Sequence, residues 1–186
     1  MLTPQKPKLA VFCGARFPKL PSEELENFKL QIQKISHALA AKFDLVYGGG
    51  TIGLMGIIAN EFLATGASVT GVIPHYLNTV EIEHTGLTET HRVLDLHERK
   101  AKMELMADAF LILPGGIGTA DEFFEVLTLK SLSRHGKPIY VWNWQNFFDG
   151  VLAFLQDGIR LGLVNDTIFQ HCIISENSSE LVDNLL

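Results

Sequence analysis

A glycine-rich segment near the middle of the chain has the composition of an anion site. Residues 114–122 read PGGIGTADE, after an apolar run that ends at Pro114. Gly115, Gly116 and Gly118 would let the backbone approach an anion closely, and the amides at the start of a following helix would point toward it. The segment therefore predicts a phosphate site. The alternative is that the glycines only make a tight strand-to-helix turn.

Glu122, at the end of this segment, has two interpretations. In TADE, Thr119 at the N-cap and Glu122 three residues later would form a capping box. A carboxylate next to a bound phosphate, with Asp121 and Glu125 adding negative charge, would instead repel the ligand unless cations intervene or the carboxylate takes part in the chemistry. This conflict favours a functional role for Glu122.

Two basic residues stand where a helix dipole disfavours them. Arg99 and Lys100 fall in the first turn of the predicted helix LHERKAKMELMAD, near the positive end of its dipole. They are either a solvated pair offset by Asp95 and Glu98, or they face the anion site and neutralise a phosphorylated substrate. The residues alone leave both interpretations open.

A second glycine segment, GGGTIG at residues 48–53, has the G-x-G-x-x-G spacing between a strand and a helix. A dinucleotide site would also need an acidic residue about 20 positions later to bind the ribose hydroxyls. The next predicted strand ends in SVTGVIP, which has no acidic residue. The spacing alone is therefore weak support for NAD binding, and no cofactor is predicted.

These segments depend on elements that alternate along the whole chain. Strands are predicted at 8–13, 44–47, 67–73, 109–113, 138–142 and 172–174, and helices at 22–39, 53–64, 98–107, 119–133, 147–160 and after the last strand. Because each parallel return needs a crossover, the pattern predicts an α/β fold, a Rossmann-like three-layer sandwich with a mainly parallel sheet and helices on both faces. Residues 74–96 fit no element, and a connection of that length usually belongs to a site or an interface.

The composition favours one compact domain. The chain has 186 residues, of which 47% are hydrophobic and 19% charged, and we expect a flexible tail at residues 1–7 and a single domain at 8–186. The formal net charge of −6 argues against a nucleic acid polymer as partner. No apolar run is long enough for a membrane span, and the two cysteines show neither metal-ligand nor disulfide spacing. We therefore expect a cytoplasmic protein with no metal site.

Several separated motifs together resemble one family. PGGIGTADE resembles the PGGxGTxxE signature of the LONELY GUY family, and ERK at 98–100 resembles the RK segment that precedes it. YGGGTIGLMG at 47–56 is similar to the family's GGGxxGLMG loop, and VIP at 72–74 and VFCG at 11–14 are similar to its strand ends. The resemblance implies a Rossmann-like enzyme that hydrolyses the N-glycosidic bond of a cytokinin-type or other purine nucleoside 5′-monophosphate, releasing the free base and ribose 5-phosphate.

The same resemblance implies roles for individual residues. Arg99 and Glu122 fall on the catalytic arginine and glutamate of the family. The implied substrate-binding positions are Gly49, Glu81, Lys100, Gly115, Gly116, Ile117, Gly118, Thr119, Ala120, Asp121 and Thr128. The chain departs from the family pattern at residues 15–16, 96, 120–121 and 129–132. The reacting groups are retained, so nucleotide cleavage is better supported than any preference for one base.

The resemblance also implies a homodimer. Phe123, Phe124 and Leu127, on the helix that carries Glu122, are candidates for an apolar two-fold interface, although burial against the sheet would explain some of them equally well. Two other activities stay open as alternatives. A carrier module of the same fold would hold a phosphorylated ligand without cleaving it. Lysine decarboxylation, an earlier label for many family members, would need a Schiff-base lysine, and no lysine here has a convincing setting.

Overall fold

The computed structural model describes residues 6–79 and 83–186. Within these residues, seven strands form one parallel sheet: β1 Lys8–Phe12, β2 Asp44–Tyr47, β3 Val69–Pro74, β4 Glu89–Val93, β5 Ala109–Ile112, β6 Ile139–Trp142 and β7 Ile173–Ser175. The α-helices are α1 Ser22–Ala40, α2 Gly53–Ala64, α3 Leu96–Met106, α4 Ile117–Ser131, α5 Asp149–Arg160 and α6 Ser178–Leu185. The predicted α/β, Rossmann-like fold is confirmed.

Helices cover both faces of the sheet and bury two hydrophobic cores. Helices α1, α2 and α6 pack on one face, and α3, α4 and α5 pack on the other. Along β1, Leu9 and Val11 enter the first core, whereas Ala10 and Phe12 enter the second. Because both faces are buried, the central strands consist of continuous apolar runs, which is why the sequence pattern located them well.

The direction of strand addition reverses between β1 and β5. The sheet order is β4-β3-β2-β1-β5-β6-β7, so the chain builds one side of the sheet first and then the other. Helix α1 leaves β1 on one face, and α4 leaves β5 on the opposite face. The two loops therefore separate at the carboxyl ends of these strands and open a crevice there, which is where ligands bind in folds of this type.

Strand β4 was not predicted; it lies in the segment 74–96, for which the sequence pattern indicated no element. Strand β4 is at the edge of the sheet and pairs in parallel with β3. Of its five residues, ETHRV, only Val93 is buried. An edge strand with so few buried positions has no apolar run, so hydrophobic periodicity gave no signal for it.

The predicted capping box of Thr119 and Glu122 is wrong, because α4 begins earlier than the sequence suggested. The first helical residue is Ile117, and Gly116 occupies the N-cap without a side-chain cap. Thr119 is therefore the third residue of the helix and is only 3% exposed. Helix capping does not account for the position of Glu122.

Lys6 and Pro7, the first described residues, form hydrogen bonds with α1 and β2. The Lys6 ammonium donates to the carbonyl of Ala40 at 2.7 Å, and the amide of Asp44 donates to the carbonyl of Pro7 at 2.9 Å. Lys6 and Pro7 are thus bonded, although both fall within the predicted tail, and residues 1–5 lie outside the described residues. Among the described helices, none combines the length and hydropathy of a membrane span.

We expect His135 to make the stability of the fold depend on pH. Its Nε2 donates to the carbonyl of Val126 at 3.0 Å, and burial lowers the pKa of the ring although this bond opposes the shift. In the unfolded chain, the imidazole binds a proton below about pH 6.5. In the folded protein, the buried ring binds this proton only at a lower pH. The contribution of His135 to the free energy of unfolding is therefore fully present above about pH 6.5, and it decreases as the pH drops below that value.

The measurement is the midpoint of thermal unfolding between pH 7.5 and 5.5. On acidification, the midpoint temperature should fall further in the wild type than in His135→Gln, because the glutamine amide keeps a donor for the Val126 carbonyl but does not titrate. Identical pH dependence of the two proteins would mean that His135 does not contribute.

Candidate active site

A cavity of about 510 Å³ opens in the crevice at the carboxyl edge of the sheet. The loop after β1 contributes residues 13–18, and the loop after β5 with the start of α4 contributes residues 114–119. Arg99 of α3 and Glu122 of α4 also line this cavity. The fold thus brings the two implied catalytic residues and the glycine-rich segment into one space.

The glycine-rich segment and the first turn of α4 form an anion cradle, which we define as residues 115–119. The first bond within the helix joins the amide of Ala120 to the carbonyl of Gly116 at 3.1 Å. The amides of residues 117–119 consequently have no acceptor inside the helix, and they project from its N-terminus beside the cavity. Such amides, together with the helix dipole, favour a phosphate group.

Gly115 has no room for a side chain. A Cβ atom placed on it would lie 2.1 Å from the Thr119 hydroxyl oxygen and 2.8 Å from the backbone nitrogen of Gly14. The amide of Gly14 in turn donates to the carbonyl of Pro114 at 3.1 Å. Glycine at this position therefore lets the loops after β1 and β5 pack against each other and shape the cradle.

Glu122 lies one helical turn after Gly118, on the same face of α4, and both residues line the cavity. The side chain is half-buried. Its neighbours Phe123 and Thr119 are buried, and Phe123 belongs to the core under α4. The helix is thus anchored on either side of Glu122, and this anchoring fixes the carboxylate next to the anion cradle.

Arg99 reaches the cavity from the first turn of α3. The carboxylate of Asp95 caps this helix by accepting from the amide of Glu98 at 2.9 Å, and the Glu98 carboxylate accepts from the amide of Leu94 at 2.7 Å. The guanidinium lies against Gly48 at the end of β2. Its Nε is buried and has no hydrogen-bond partner among the residues that the structure describes.

Lys100 makes a different set of contacts from its neighbour Arg99. Its ammonium pairs with the carboxylate of Asp121 at 2.9 Å and with that of Glu125, and it does not line the cavity. Burial alone would lower the pKa of Lys100, but the hydrogen bonds that its ammonium donates to Glu125 and Asp121 outweigh burial, so the pKa is raised. A cation does intervene, which was one of the two ways to relieve the charge conflict around Glu122, because Lys100 offsets one of the two charges of the flanking carboxylates.

Three further residues with an implied substrate-binding role, Gly49, Ala120 and Thr128, lie outside the cavity lining. The carbonyl of Gly49 accepts from the amide of His84 at 3.0 Å, so this residue joins the loop after β2 to the segment before β4. Ala120 is half-buried and Thr128 is exposed, and both lie on α4 away from the lining. Glu81 falls outside the described residues.

Two of the three residues proposed for an apolar interface belong to the core. Phe123 is 0% exposed and Leu127 is 2% exposed, so the interpretation of them as surface residues was wrong. They lie on the apolar stripe of α4, in the core that buried side chains of β1, β5 and β6 also form. Phe124 is half-buried and makes an edge contact with Phe154 of α5, with ring centroids 6.2 Å apart.

The aromatic part of the cavity lining was not predicted from the sequence. This part consists of Phe17 after β1, Phe28 of α1, and Trp144 and Phe147 after β6. The rings of Phe28 and Trp144 are 4.5 Å apart. These side chains come from three distant segments with no common spacing, so no motif could have signalled them. The usable clue was the position of the third segment, because it also follows the carboxyl end of a strand.

The described residues contain no group of three or more His, Cys, Asp or Glu that could hold a metal ion. Among the described residues, the cavity combines the anion cradle with two arginines, Arg16 and Arg99, and with the carboxylate of Glu122, at the crevice of a parallel α/β sheet. This combination defines the class as a Rossmann-like protein with a site for a phosphate ester.

Comparison with known proteins gives the family. A family described as "Possible lysine decarboxylase" matches residues 55–185. The cytokinin riboside 5′-monophosphate phosphoribohydrolase of Rhodococcoides fascians is 39% identical over 176 residues, which cover 94% of this chain and 86% of the relative. The enzyme LOG7 of Arabidopsis thaliana, with the same activity in its name, is 36% identical over 96% of this chain and 80% of its own. The chain belongs to this family, the LONELY GUY (LOG) family, as its motifs predicted.

Solved structures support the fold. The molybdenum cofactor carrier protein of Chlamydomonas reinhardtii aligns with a TM-score of 0.67 over 97% of this chain and 96% of its own, at 16% identity. At that identity the similarity concerns the fold alone. It confirms the Rossmann-like architecture that the alternating elements predicted.

Proposed function

We propose that the protein is a hydrolase that cleaves the N-glycosidic bond of a purine nucleoside 5′-monophosphate, either of cytokinin type or AMP, and releases the free base and ribose 5-phosphate. The observation that carries this proposal is that Arg99, Glu122 and the anion cradle line one cavity. The names of the relatives, at 39% and 36% identity over nearly the whole chain, support both the reaction and the substrate class.

The cavity suggests how the reaction proceeds. The cradle binds the monophosphate, and this remote binding energy orients the ribose for cleavage. As the bond between C1′ and the base nitrogen breaks, positive charge develops on the ribose, and the Glu122 carboxylate stabilises it. Glu122 also takes a proton from the attacking water, whose oxygen bonds to C1′, and the proton passes to the departing base. Arg99 binds the anionic part of the substrate and sets its position.

The other substrate-binding assignments are part of this proposal. Glu81 is proposed as a second carboxylate on the ribose. Gly49, Ala120, Asp121 and Thr128 are proposed to act at the margin of the site, since they lie outside the cavity lining of this chain. Substitution of Ala120 or Thr128 should change the KM for nucleotide more than kcat.

Chromatographic analysis of the released bases tests the function. The panel contains AMP, isopentenyladenosine monophosphate, IMP and GMP, each with the matched nucleoside that lacks the phosphate. We expect free base from at least one purine monophosphate and far slower release from its nucleoside, because the cradle then has no ligand. Nucleotide binding without base release would instead identify a carrier module.

Lysine decarboxylation is not supported by the lysines near the site. No lysine among the described residues lines the cavity. The lysine closest in sequence to Arg99 is Lys100, whose pKa is raised by its ion pairs. A Schiff-base lysine needs a lowered pKa so that its amine is a nucleophile. The family description therefore does not indicate the activity of this chain.

Replacement of Lys100 by methionine separates two roles for this residue. If Lys100 acts by neutralising Asp121 and Glu125, Lys100→Met leaves two uncompensated charges near the cradle and should raise the KM for nucleotide roughly fivefold to tenfold. The triple variant Lys100→Met/Asp121→Asn/Glu125→Gln should then return the KM close to that of the wild type. A KM that stays high in the triple variant would show that Lys100 contacts the substrate directly. Thermal unfolding of each variant controls for loss of the contact between α3 and α4.

We further propose a cytoplasmic homodimer. Exposed apolar side chains such as Leu105, Phe154 and Leu163, at 80%, 64% and 80% exposure, are candidates for the interface. Neither Cys13 nor Cys172 forms a disulfide, which fits a reducing compartment. Light scattering should give a molar mass near twice the 20.6 kDa of one chain, and a mass near 20.6 kDa would contradict the dimer.

A further inference from the structure

We propose that Gly48 is a positioning residue: its missing side chain provides the space in which the Arg99 guanidinium is held in the active site. The inference rests on the proposed function for its kinetic readout. It assigns the first glycine of GGGTIG a role that is neither phosphate binding nor backbone flexibility.

The space beside Gly48 is already filled by other side chains of the protein. A Cβ atom placed on Gly48 would lie 2.0 Å from Nη2 of Arg99 and 3.3 Å from its Cζ. It would also lie 3.1 Å from Sδ of Met55, a residue of α2 that is only 5% exposed. The guanidinium therefore lies directly on the backbone of Gly48, and Met55 closes the other side of the same space.

The backbone of Gly48 does not itself require glycine. Its φ lies outside the left-handed region, so alanine can adopt the same conformation without strain. The obstacle to alanine is the far end of a flexible side chain, because Nη2 is the nearest atom. Alanine at residue 48 should therefore leave the fold intact and move the guanidinium.

Two other glycines of this loop, Gly49 and Gly53, have structural roles, which sets them apart from Gly48. Gly49 and Gly53 have φ values of +82° and +66°. A Cβ atom on Gly49 would lie 2.3 Å from the side chain of Ile73, and one on Gly53 would lie 2.5 Å from the carbonyl of Ala15. Alanine at either position would strain the backbone and collide with core or main-chain atoms. We thus expect a loss of stability there and a loss of activity at Gly48.

The Arg99 guanidinium touches the Gly48 backbone directly, so this contact restrains its position. Its Nε is buried without a hydrogen-bond partner among the described residues. The capped first turn of α3 holds the backbone of Arg99, and the surface of Gly48 limits where the guanidinium can lie. A shift of about 1 Å in a substrate-positioning group can cost roughly a hundredfold in rate.

The test compares Gly48→Ala in two backgrounds. In the wild-type background, Gly48→Ala should lower kcat/KM for base release by about tenfold to a hundredfold, with the midpoint of thermal unfolding nearly unchanged. In an Arg99→Lys background, the same substitution should cost less than about twofold, because the lysine ammonium reaches only as far as the Cζ position, 3.3 Å from the added methyl group. The matched control is Gly150→Ala, where a Cβ atom meets nothing within 4 Å, and it should behave as the wild type.

The outcomes separate this inference from the proposed function. If the wild type releases no base from any nucleotide, the proposed function fails, and the same comparison is then made on the affinity for AMP measured by calorimetry. Wild-type turnover or affinity in Gly48→Ala, or an equal loss in both backgrounds, would overturn the role of Gly48. Should Gly48→Ala unfold, recovery of the unfolding midpoint by Arg99→Lys would support the contact, and lack of recovery would contradict it.

Discussion

Replacing Glu122 by glutamine is expected to lower kcat/KM for base release by at least about a hundredfold, the usual scale for loss of a general acid or base. The amide of glutamine has nearly the shape of the carboxylate but can neither accept the proton of water nor carry the charge that stabilises a ribosyl cation. Because α4 has Gly116 at its N-cap and no side-chain cap, the substitution removes no helix cap. The fold and the affinity for nucleotide should therefore change little.

The measurement is single-turnover release of base, followed with the midpoint of thermal unfolding. Glu125→Gln is the matched control, because it makes the same chemical change one turn along the same helix, outside the cavity lining. Its effect on kcat should be within a few-fold. Near-normal turnover in Glu122→Gln would rule out Glu122 as the catalytic carboxylate.

Arg99→Ala is expected to cost a comparable factor, again at least about a hundredfold in kcat/KM. The reason differs from that for Glu122, since a guanidinium both binds an anionic ligand and fixes its position. Removal should therefore weaken binding of the product ribose 5-phosphate as well as slow turnover. For Glu122→Gln we expect the loss almost entirely in kcat, so the two variants should differ in how the loss divides between kcat and KM.

Kinetics with the best nucleotide substrate show how the loss divides between kcat and KM, and calorimetry with ribose 5-phosphate measures the change in binding. Lys102→Ala is the control for net charge, because it removes a cation from the same helix without altering the cavity lining. Unchanged affinity for the phosphate ester in Arg99→Ala would exclude the arginine from the phosphate site. Unchanged turnover would exclude it from the mechanism.

Local patterns were sufficient to predict the layers of the fold. The strands at 44–47 and 109–112 and the helix at 53–64 were predicted at or within one residue of their observed bounds. Buried parallel strands are apolar on both faces, and helices carry a periodic apolar stripe, so both signals lie in consecutive residues. Strand β4 was not predicted, because this edge strand has neither a continuous apolar run nor a periodic apolar stripe.

The amino-acid sequence by itself determined the chemistry available to this protein. The glycines of PGGIGTADE, the arginine and lysine of ERK, and the glutamate at residue 122 are fixed by local composition and by family motifs. The sequence also determined that a helix follows the glycine-rich segment, since apolar residues recur there at helical spacing.

Only the tertiary structure decided which of these groups meet. Arg99 and Lys100 are neighbours in sequence, but successive side chains on a helix point about 100° apart, so one lines the cavity and the other pairs with Asp121 and Glu125. Gly48 and Arg99 are brought together because α3 packs on β1, β2 and β3, and Gly48 directly follows β2. Which residues meet depends on strand order and helix rotation, and both are set by long-range packing that no short stretch of sequence contains.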